Sequence, residues 1–110
     1  MSKDRSEREE RLLSGLGLCV KAGRVIFGAP MICEALKKSG AGKPTLVLEA
    51  ADTSENTHKR ITDKCAYYRV RHIRLSCGGE ELSAALGKTS FLAAVAVTDE
   101  GMTRLLEPYL

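Results

Sequence analysis

The sequence contains no tryptophan, few aromatic residues overall (5%) and only 3 prolines among its 110 residues. It also lacks any run close to the roughly 20 uninterrupted apolar residues that a helix needs to cross a bilayer. Residues 1–11 are crowded with charge, where a secretory signal would carry an apolar segment. We therefore expect a protein that is neither secreted nor membrane-bound and that has no membrane partner.

Paired cysteine motifs are absent as well. The four cysteines are widely spaced, without a C-x-x-C pair, and three of them lie among apolar or helical neighbours, where a thiol packs like a small hydrophobic group. This pattern is typical of a reducing compartment, so we expect a cytoplasmic location. The residues are Cys19, Cys33, Cys65 and Cys77.

No catalytic or metal-binding pattern stands out. The two histidines, His58 and His72, have no cysteine or carboxylate partner at metal-ligand spacing, and there is no G-x-S-x-G elbow. Asp99 and Glu100 are adjacent at a predicted helix start, where they are better explained as a cap than as an acid and base pair. The sequence therefore predicts no enzyme, no catalytic residues, no metal, no cofactor and no small-molecule substrate.

A length of 110 residues is enough for one domain and too short for two. We expect a single domain over residues 1–110, in which residues 1–6 form a flexible leader. Apolar periodicity predicts five helices that alternate with four strands. The predicted helices are residues 7–22, a helix that starts near Pro30 and stops before residues 39–42, residues 55–68, residues 80–86 and a last helix between Asp99 and Pro108; the predicted strands are residues 25–27, 45–48, 70–75 and 92–97.

The last predicted strand differs from the others. Residues 92–97 include no polar side chain, which is typical of a strand covered on both faces, so we expect it in the centre of the sheet. The element order αβαβαβαβα belongs to the α/β class. It predicts a three-layer α/β/α sandwich with a four-stranded, largely parallel sheet.

Positive charge is concentrated in residues 57–75, where six basic residues and one acid, Asp63, give +5 in a chain whose total is +3. Such a band is either a solvated face or an electrostatic footprint for nucleic acid. We expect it on a different surface from Gly28, because the helices involved follow different strands. Tyr67 and Tyr68 adjoin within the band, so we expect one core and one outer tyrosine and no aromatic platform. The basic residues are Lys59, Arg60, Lys64, Arg69, Arg71 and Arg74.

One strand-to-helix turn is a candidate anion site. Gly28 and Ala29 join the first predicted strand to the second predicted helix. The first N–H groups of a helix are free and lie at its positive dipole end, which suits phosphate, and glycine lets another backbone approach closely. A plain turn is the alternative interpretation.

Several blocks share an order and spacing with a known family. They are residues 18–25, Gly28, residues 52–57, residues 62–65 with Tyr67 and Tyr68, residues 86–88 and residues 95–101. These blocks resemble the bacterial YlxQ proteins, a branch of the superfamily of kink-turn RNA-binding ribosomal proteins of the L-seven-Ae and L-thirty-e types. The resemblance covers nearly the whole chain after residue 11 and implies the L-thirty-e-like α/β/α fold.

The resemblance implies non-catalytic RNA binding through the start of the second helix and the loop between the fourth helix and the last strand. The implied partner is structured RNA, ribosomal or another kink-turn RNA, in a complex with ribosome-associated proteins. Asn and carboxylate groups suit base edges, and cations suit phosphates. The implied RNA-binding residues are Gly28, Ala29, Pro30, Met31, Glu34, Lys37, Lys38, Lys88, Thr89, Ser90 and Phe91.

The chain departs from the family at the base-reading positions. The family pattern is Gly-x-Asn-Glu-x-x-Lys, and here Gly28 matches while Pro30, Met31 and Glu34 replace the Asn, the Glu and the Lys. A later basic position, Lys38, is retained. Proline and methionine cannot make the base-edge hydrogen bonds, and Glu34 has the wrong charge for phosphate. A protein-protein adaptor with the same fold and no kink-turn recognition is therefore the alternative function.

Overall fold

Helices and strands alternate through the part of the chain that the computed structural model describes, which is residues 2–110, with side chains from Glu7 onward. The five predicted helices and the four predicted strands are all present. Helix α1 starts at Ser2 and not at residue 7. Met1 lies outside the described residues, and the leader predicted for residues 1–6 stays a prediction. The elements are α1 (Ser2–Lys21), β1 (Val25–Phe27), α2 (Ala29–Leu36), β2 (Leu46–Glu49), α3 (Glu55–Tyr68), β3 (Arg71–Arg74), α4 (Gly79–Ala85), β4 (Ala94–Val97), α5 (Glu100–Leu106) and a closing 3-10 helix (Glu107–Tyr109).

The four strands form one sheet in the order β1-β4-β2-β3. The α/β sandwich is confirmed, and so is the central place of β4, which pairs with a strand on each side. The expectation of a largely parallel sheet needs correction, because the sheet is mixed. β1, β2 and β3 run in one direction, but β4 inserts antiparallel between β1 and β2, so β2 and β3 are the only parallel neighbours in this sheet. An apolar run predicts that both faces of a strand are covered and does not predict its direction.

The two faces of the sheet are covered by different helices. Alternate residues of a strand point to opposite faces, and β2 and β4 follow this rule throughout. Helices α1, α4 and α5 cover one face, where Leu46, Leu48, Val95 and Val97 meet Leu12, Leu16, Leu82 and Leu106. Helices α2 and α3 cover the other face, where Val47, Ala94 and Ala96 meet Ile32, Leu36, Ile61 and Cys65. Each fully buried Leu or Ile contributes roughly 1.5–3 kcal/mol to folding.

Side-chain caps start the helices that follow β2 and β4. Ser54 Oγ accepts a hydrogen bond from the Thr57 backbone N–H at 3.3 Å, and Asp99 Oδ1 accepts one from the Met102 N–H at 2.9 Å. The capping role predicted for Asp99 is confirmed. A cap of this kind stabilises a helix by roughly 1 kcal/mol because it satisfies an N–H group that has no partner within the helix.

All four cysteines are free and buried. Burial raises the pKa of Cys65 to about 11 and that of Cys77 to about 12, since desolvation disfavours the thiolate. At neutral pH these side chains are therefore protonated thiols that pack as small apolar groups. No helix in residues 2–110 has the length and apolar character needed to span a bilayer.

A buried carboxylate ties α3 to the sheet. Glu49 ends β2, is fully buried and faces the α3 side. Its oxygens lie 2.8 Å from His58 Nδ1, 2.7 Å from His72 Nε2 and 3.9 Å from Arg74 Nε. Hydrogen-bonded basic partners are what make a buried carboxylate tolerable. Glu49 therefore links β2, β3 and α3 through polar contacts in a mostly apolar layer.

We expect the amides of β4 to be among the slowest to exchange with solvent, because the strand is hydrogen-bonded on both sides and buried on both faces. Native-state hydrogen exchange measured by NMR checks this, with the edge strand β3 as the internal comparison. Exchange at Val95 and Val97 as fast as in β3 would contradict the central position.

We expect Glu49→Gln to lower the free energy of unfolding by about 1–3 kcal/mol. The amide keeps the size of the carboxylate, but it loses the charge and turns an N–H donor towards one of the histidines. The matched control is Asp63→Asn, which removes one negative charge from an exposed pair with Lys59 and should change stability by less than about 0.5 kcal/mol. Urea unfolding measures both variants, and equal midpoints for the two would refute a structural role for Glu49.

Candidate nucleic-acid interface

The turn between β1 and α2 has a backbone that favours glycine. Gly28 has φ 89° and ψ 143°, and a side chain is strained at positive φ of this size. Its N–H donates to the Ala94 carbonyl at 3.0 Å, and its own carbonyl accepts from the Ile32 N–H at 3.0 Å. Gly28 therefore starts α2 and also fastens that start to the first residue of β4.

The loop between α4 and β4 lies beside this turn. Lys88 is anchored by its N–H, which donates to the Ser83 carbonyl at 2.9 Å. Its ammonium nitrogen stands over the Phe27 ring, 4.3 Å from the ring centroid, and Phe27 is the residue before Gly28. The structure thus brings together the two segments that sequence reasoning selected. We call residues 28–31 and 87–91 the turn–loop surface.

An aromatic side chain is held at the same place. Phe91 is 51% exposed, and one side of its ring lies so close to Gly79 that a Cβ on Gly79 would overlap it. The Leu92 N–H donates to the Gly79 carbonyl at 3.2 Å, which fixes the end of the loop against α4. Thr89 and Ser90 are exposed between Lys88 and Phe91. The loop therefore carries a cation, two exposed hydroxyl residues and a half-exposed apolar ring.

Helix α2 presents a mixed outer stripe. Ala29 is buried and forms the floor of the turn, while Met31 is 62% exposed. Pro30, Glu34 and Lys38 follow at intervals of four residues and are all exposed. Glu34 pairs with Lys37 across 3.3 Å. The negative charge of Glu34, which would repel a phosphate, is therefore partly offset by the Lys37 ammonium.

The structure does not bring the predicted cations of α2 to the Gly28 end. The helix is eight residues long, and a rise of 1.5 Å per residue makes it about 12 Å. Lys37 is its C-cap and Lys38 follows, so both lie at the opposite end from Gly28. Within the turn–loop surface, the cation is Lys88. Pro30 has no N–H and the Gly28 and Ile32 N–H groups are already bonded, so only the Ala29 and Met31 N–H groups add partial positive charge.

The other side of the surface is acidic. Asp52 Oδ1 accepts a hydrogen bond from the Gly79 N–H at 2.9 Å. Glu80 and Glu81 lie in the first turn of α4. A polyanion is therefore repelled beside Gly79 and attracted beside Lys88 and α2. Noncovalent binding of phosphates and bases is the chemistry that this arrangement supports.

The basic band lies closer to α2 than its sequence position predicts. We expected it on a different surface from Gly28, but α3, which carries half of it, packs beside α2 on the same face of the sheet. β1 and β2 run in the same direction, so α2 and α3, which follow them, both start at the carboxyl ends of these strands. Sequence reasoning could not find this, because the antiparallel β4 between the two strands sets the spacing of the helices.

The sequence analysis also missed the partners of the histidines. His58 and His72 share one carboxylate, Glu49, which is 9 and 23 residues away from them in the chain. The parallel register that places Val47 beside His72 and Glu49 beside Arg74 makes this possible. Among the described residues, no group of three or more His, Cys, Asp or Glu side chains is arranged to hold a metal ion.

Sequence comparison with known proteins matches nearly the whole chain to one family. Residues 10–107 match the ribosomal protein L7Ae/L30e/S12e/Gadd45 family. The RNA-binding protein YlxQ of Bacillus subtilis (strain 168) is 35% identical over 91 residues, which cover 83% of this chain and 86% of that protein. The RNA-binding protein YlxQ of Enterococcus faecium is 30% identical over 79 residues, 72% of this chain and 73% of that one.

A solved structure also shares the fold. A Giardia lamblia 15.5 kD RNA-binding protein superimposes with a TM-score of 0.74 at 14% identity, covering 96% of this chain and 84% of that one. The family match spans nearly the whole described chain, and the resemblance to YlxQ proteins is confirmed. The chain belongs to the ribosomal protein L7Ae/L30e/S12e/Gadd45 family.

Proposed function

We propose that this protein binds structured RNA through the turn–loop surface and acts without catalysis. The observation that carries the proposal is the joining of the two segments: the Gly28 N–H donates to the Ala94 carbonyl, and Lys88 stands over the Phe27 ring. A phosphate beside α2 would meet free helical N–H groups and the Lys88 ammonium at once. Phe91 supplies an exposed apolar face for an unstacked base.

We further propose that the RNA is a kink-turn or a similarly bent RNA in a ribosome-associated complex. Two relatives of this chain carry the name RNA-binding protein YlxQ, and its family is described as ribosomal. The segments that the resemblance implicates are the ones that form the turn–loop surface. Four buried thiols suit the reducing cytoplasm, where such complexes work.

We propose that this surface recognises base edges only weakly. Pro30 lacks a side-chain donor, and exposed Met31 cannot accept a hydrogen bond from a guanine. The backbone of the turn and the cation Lys88 recognise shape and phosphate instead. The protein should therefore distinguish a kink-turn from a duplex by its bend more than by its base sequence.

We expect binding to a kink-turn RNA to weaken with salt. Lys88 is the cation of the turn–loop surface, and Lys37 and Lys38 lie at the far end of α2, about 12 Å away, where an RNA that follows the helix would reach them. Roughly three phosphate contacts then give the plot of log K against log salt a slope of about −2 to −3. Fluorescence anisotropy at several salt concentrations measures it, with a duplex of equal length as the control RNA. Lys88→Ala should reduce the steepness by about 1. If neither RNA binds, recognition of structured RNA by the turn–loop surface is refuted and the adaptor alternative takes its place.

We expect the family's residues to restore base reading. The pair Pro30→Asn and Met31→Glu should improve binding only to RNA with tandem G·A pairs, because each good base-edge contact contributes about 1–3 kcal/mol of discrimination. Glu34→Lys should improve binding to all RNAs alike, as a phosphate contact does.

Titration of each variant with a kink-turn and with the same RNA lacking its G·A pairs separates the two effects. Nanomolar binding of the unmodified protein that is lost when the G·A pairs are changed would overturn the proposal of weak base reading.

A further inference from the structure

One flank of α3 carries a row of basic and aromatic residues that the turn–loop surface does not use. Arg60, Lys64 and Tyr67 are spaced by four and three residues, which places them on one side of the helix. Arg60 is exposed, Lys64 is partly exposed and Tyr67 is 78% exposed. We call these three residues the α3 stripe.

The tyrosine of the stripe is held in place. The Tyr67 and Tyr68 rings meet edge to face with their centroids 4.8 Å apart. Tyr68 itself packs against the core beneath α3, and the Lys43 ammonium lies 5.7 Å from the centroid of its ring. The expectation of one core and one outer tyrosine is thus confirmed, and the outer ring rests on a fixed support.

The charge of the stripe is available for a ligand. Asp63 is the acid beside it, and it pairs with Lys59 at 3.9 Å. Among the described side chains, from residue 7 onward, neither Arg60 nor Lys64 has an ion-pair partner. Arg60, Asp63, Lys64, Tyr67 and Tyr68 line one shallow groove. A groove with two unpaired cations and an exposed ring has the composition of a surface that holds unpaired nucleic acid.

The position of the stripe relates it to the turn–loop surface. Helices α2 and α3 lie side by side on one face of the sheet and start at the same edge. Helix α3 has 14 residues and is about 21 Å long. Tyr67, in the last turn of α3, therefore lies at the far end of the helix, away from the carboxyl ends of β1 and β2. RNA that leaves the turn–loop surface across this face of the sheet would run along α3.

We propose that the α3 stripe binds an unpaired RNA segment adjacent to the folded RNA at the turn–loop surface. This inference rests on the proposed function, which identifies the bound polymer as RNA. A base stacks on Tyr67, and phosphates on either side of it contact Arg60 and Lys64. The segment is unpaired because a duplex buries the base faces that stacking requires. An acidic protein surface would pair with the cations and would gain little from the aromatic ring.

The test compares a kink-turn RNA with the same RNA extended by about eight unpaired nucleotides, within the site sizes common for single strands. The extension should tighten binding of the unmodified protein by about 10-fold, and Tyr67→Ala should remove that gain while leaving binding to the unextended RNA unchanged. Tyr67→Phe should keep the gain, since the ring face suffices for stacking.

The charge variants have a matched control on the same helix. Arg60→Ala with Lys64→Ala should reduce the salt slope for the extended RNA by about 1.4, at roughly 0.7 per single-strand phosphate contact. Lys59→Ala removes the same type of charge, but Lys59 is already paired with Asp63, so the slope should hardly change. Circular dichroism and urea unfolding verify that each exposed-site variant is folded.

Failure of this inference can be distinguished from failure of the proposed function. If the kink-turn binds but the extension adds nothing, or if Tyr67→Ala weakens both RNAs equally, the inference is overturned and the proposed function stands. If the kink-turn does not bind, a free oligonucleotide of about ten unpaired residues decides. If the oligonucleotide binds and Tyr67→Ala abolishes this binding, the proposal for the α3 stripe is supported. If the oligonucleotide does not bind, that proposal is overturned as well.

Discussion

The central strand of the sheet is the constraint on which the rest of this molecule depends. β4 is short and entirely apolar, so it must be covered on both faces and paired on both edges. Its insertion between β1 and β2 meets these requirements and also brings the loop before β4 against the turn after β1. The turn–loop surface is thus a direct result of how a buried strand obtains its hydrogen bonds.

The same insertion organises the face that carries α2 and α3. The residues that β4 turns towards these helices are alanines, Ala94 and Ala96. Small side chains leave room for both helices to pack closely over the middle of the sheet. Glu49 of the neighbouring strand then contacts α3 through His58, and it contacts β3 through His72 and Arg74. A purely apolar layer would bury as much surface, but it would hold α3 with less directional restraint.

The geometry of the candidate interface depends on the fold, whereas its exposed side chains do not. Gly28 has a positive φ and donates a hydrogen bond to the Ala94 carbonyl, both of which depend on the fold. Pro30, Met31 and Glu34 are exposed and contribute little to the core, so their replacement leaves the scaffold intact. The fold therefore does not depend on which side chains stand at these exposed positions, and the functional conclusion must come from the site and not from the fold.

Local patterns in the sequence predict the elements, since periodicity and capping act over a few residues: the helices, the cap Asp99, the buried role of β4 and the glycine at position 28 all follow from short-range pattern. The sequence also singled out both segments of the turn–loop surface, the Gly28 turn as a candidate anion site and residues 87–91 only through the family resemblance. Long-range packing sets the direction of β4, the shared carboxylate of His58 and His72, and the place of α3 beside α2. These features depend on strand pairing and register between residues far apart in the chain, and no local pattern specifies which strands become neighbours.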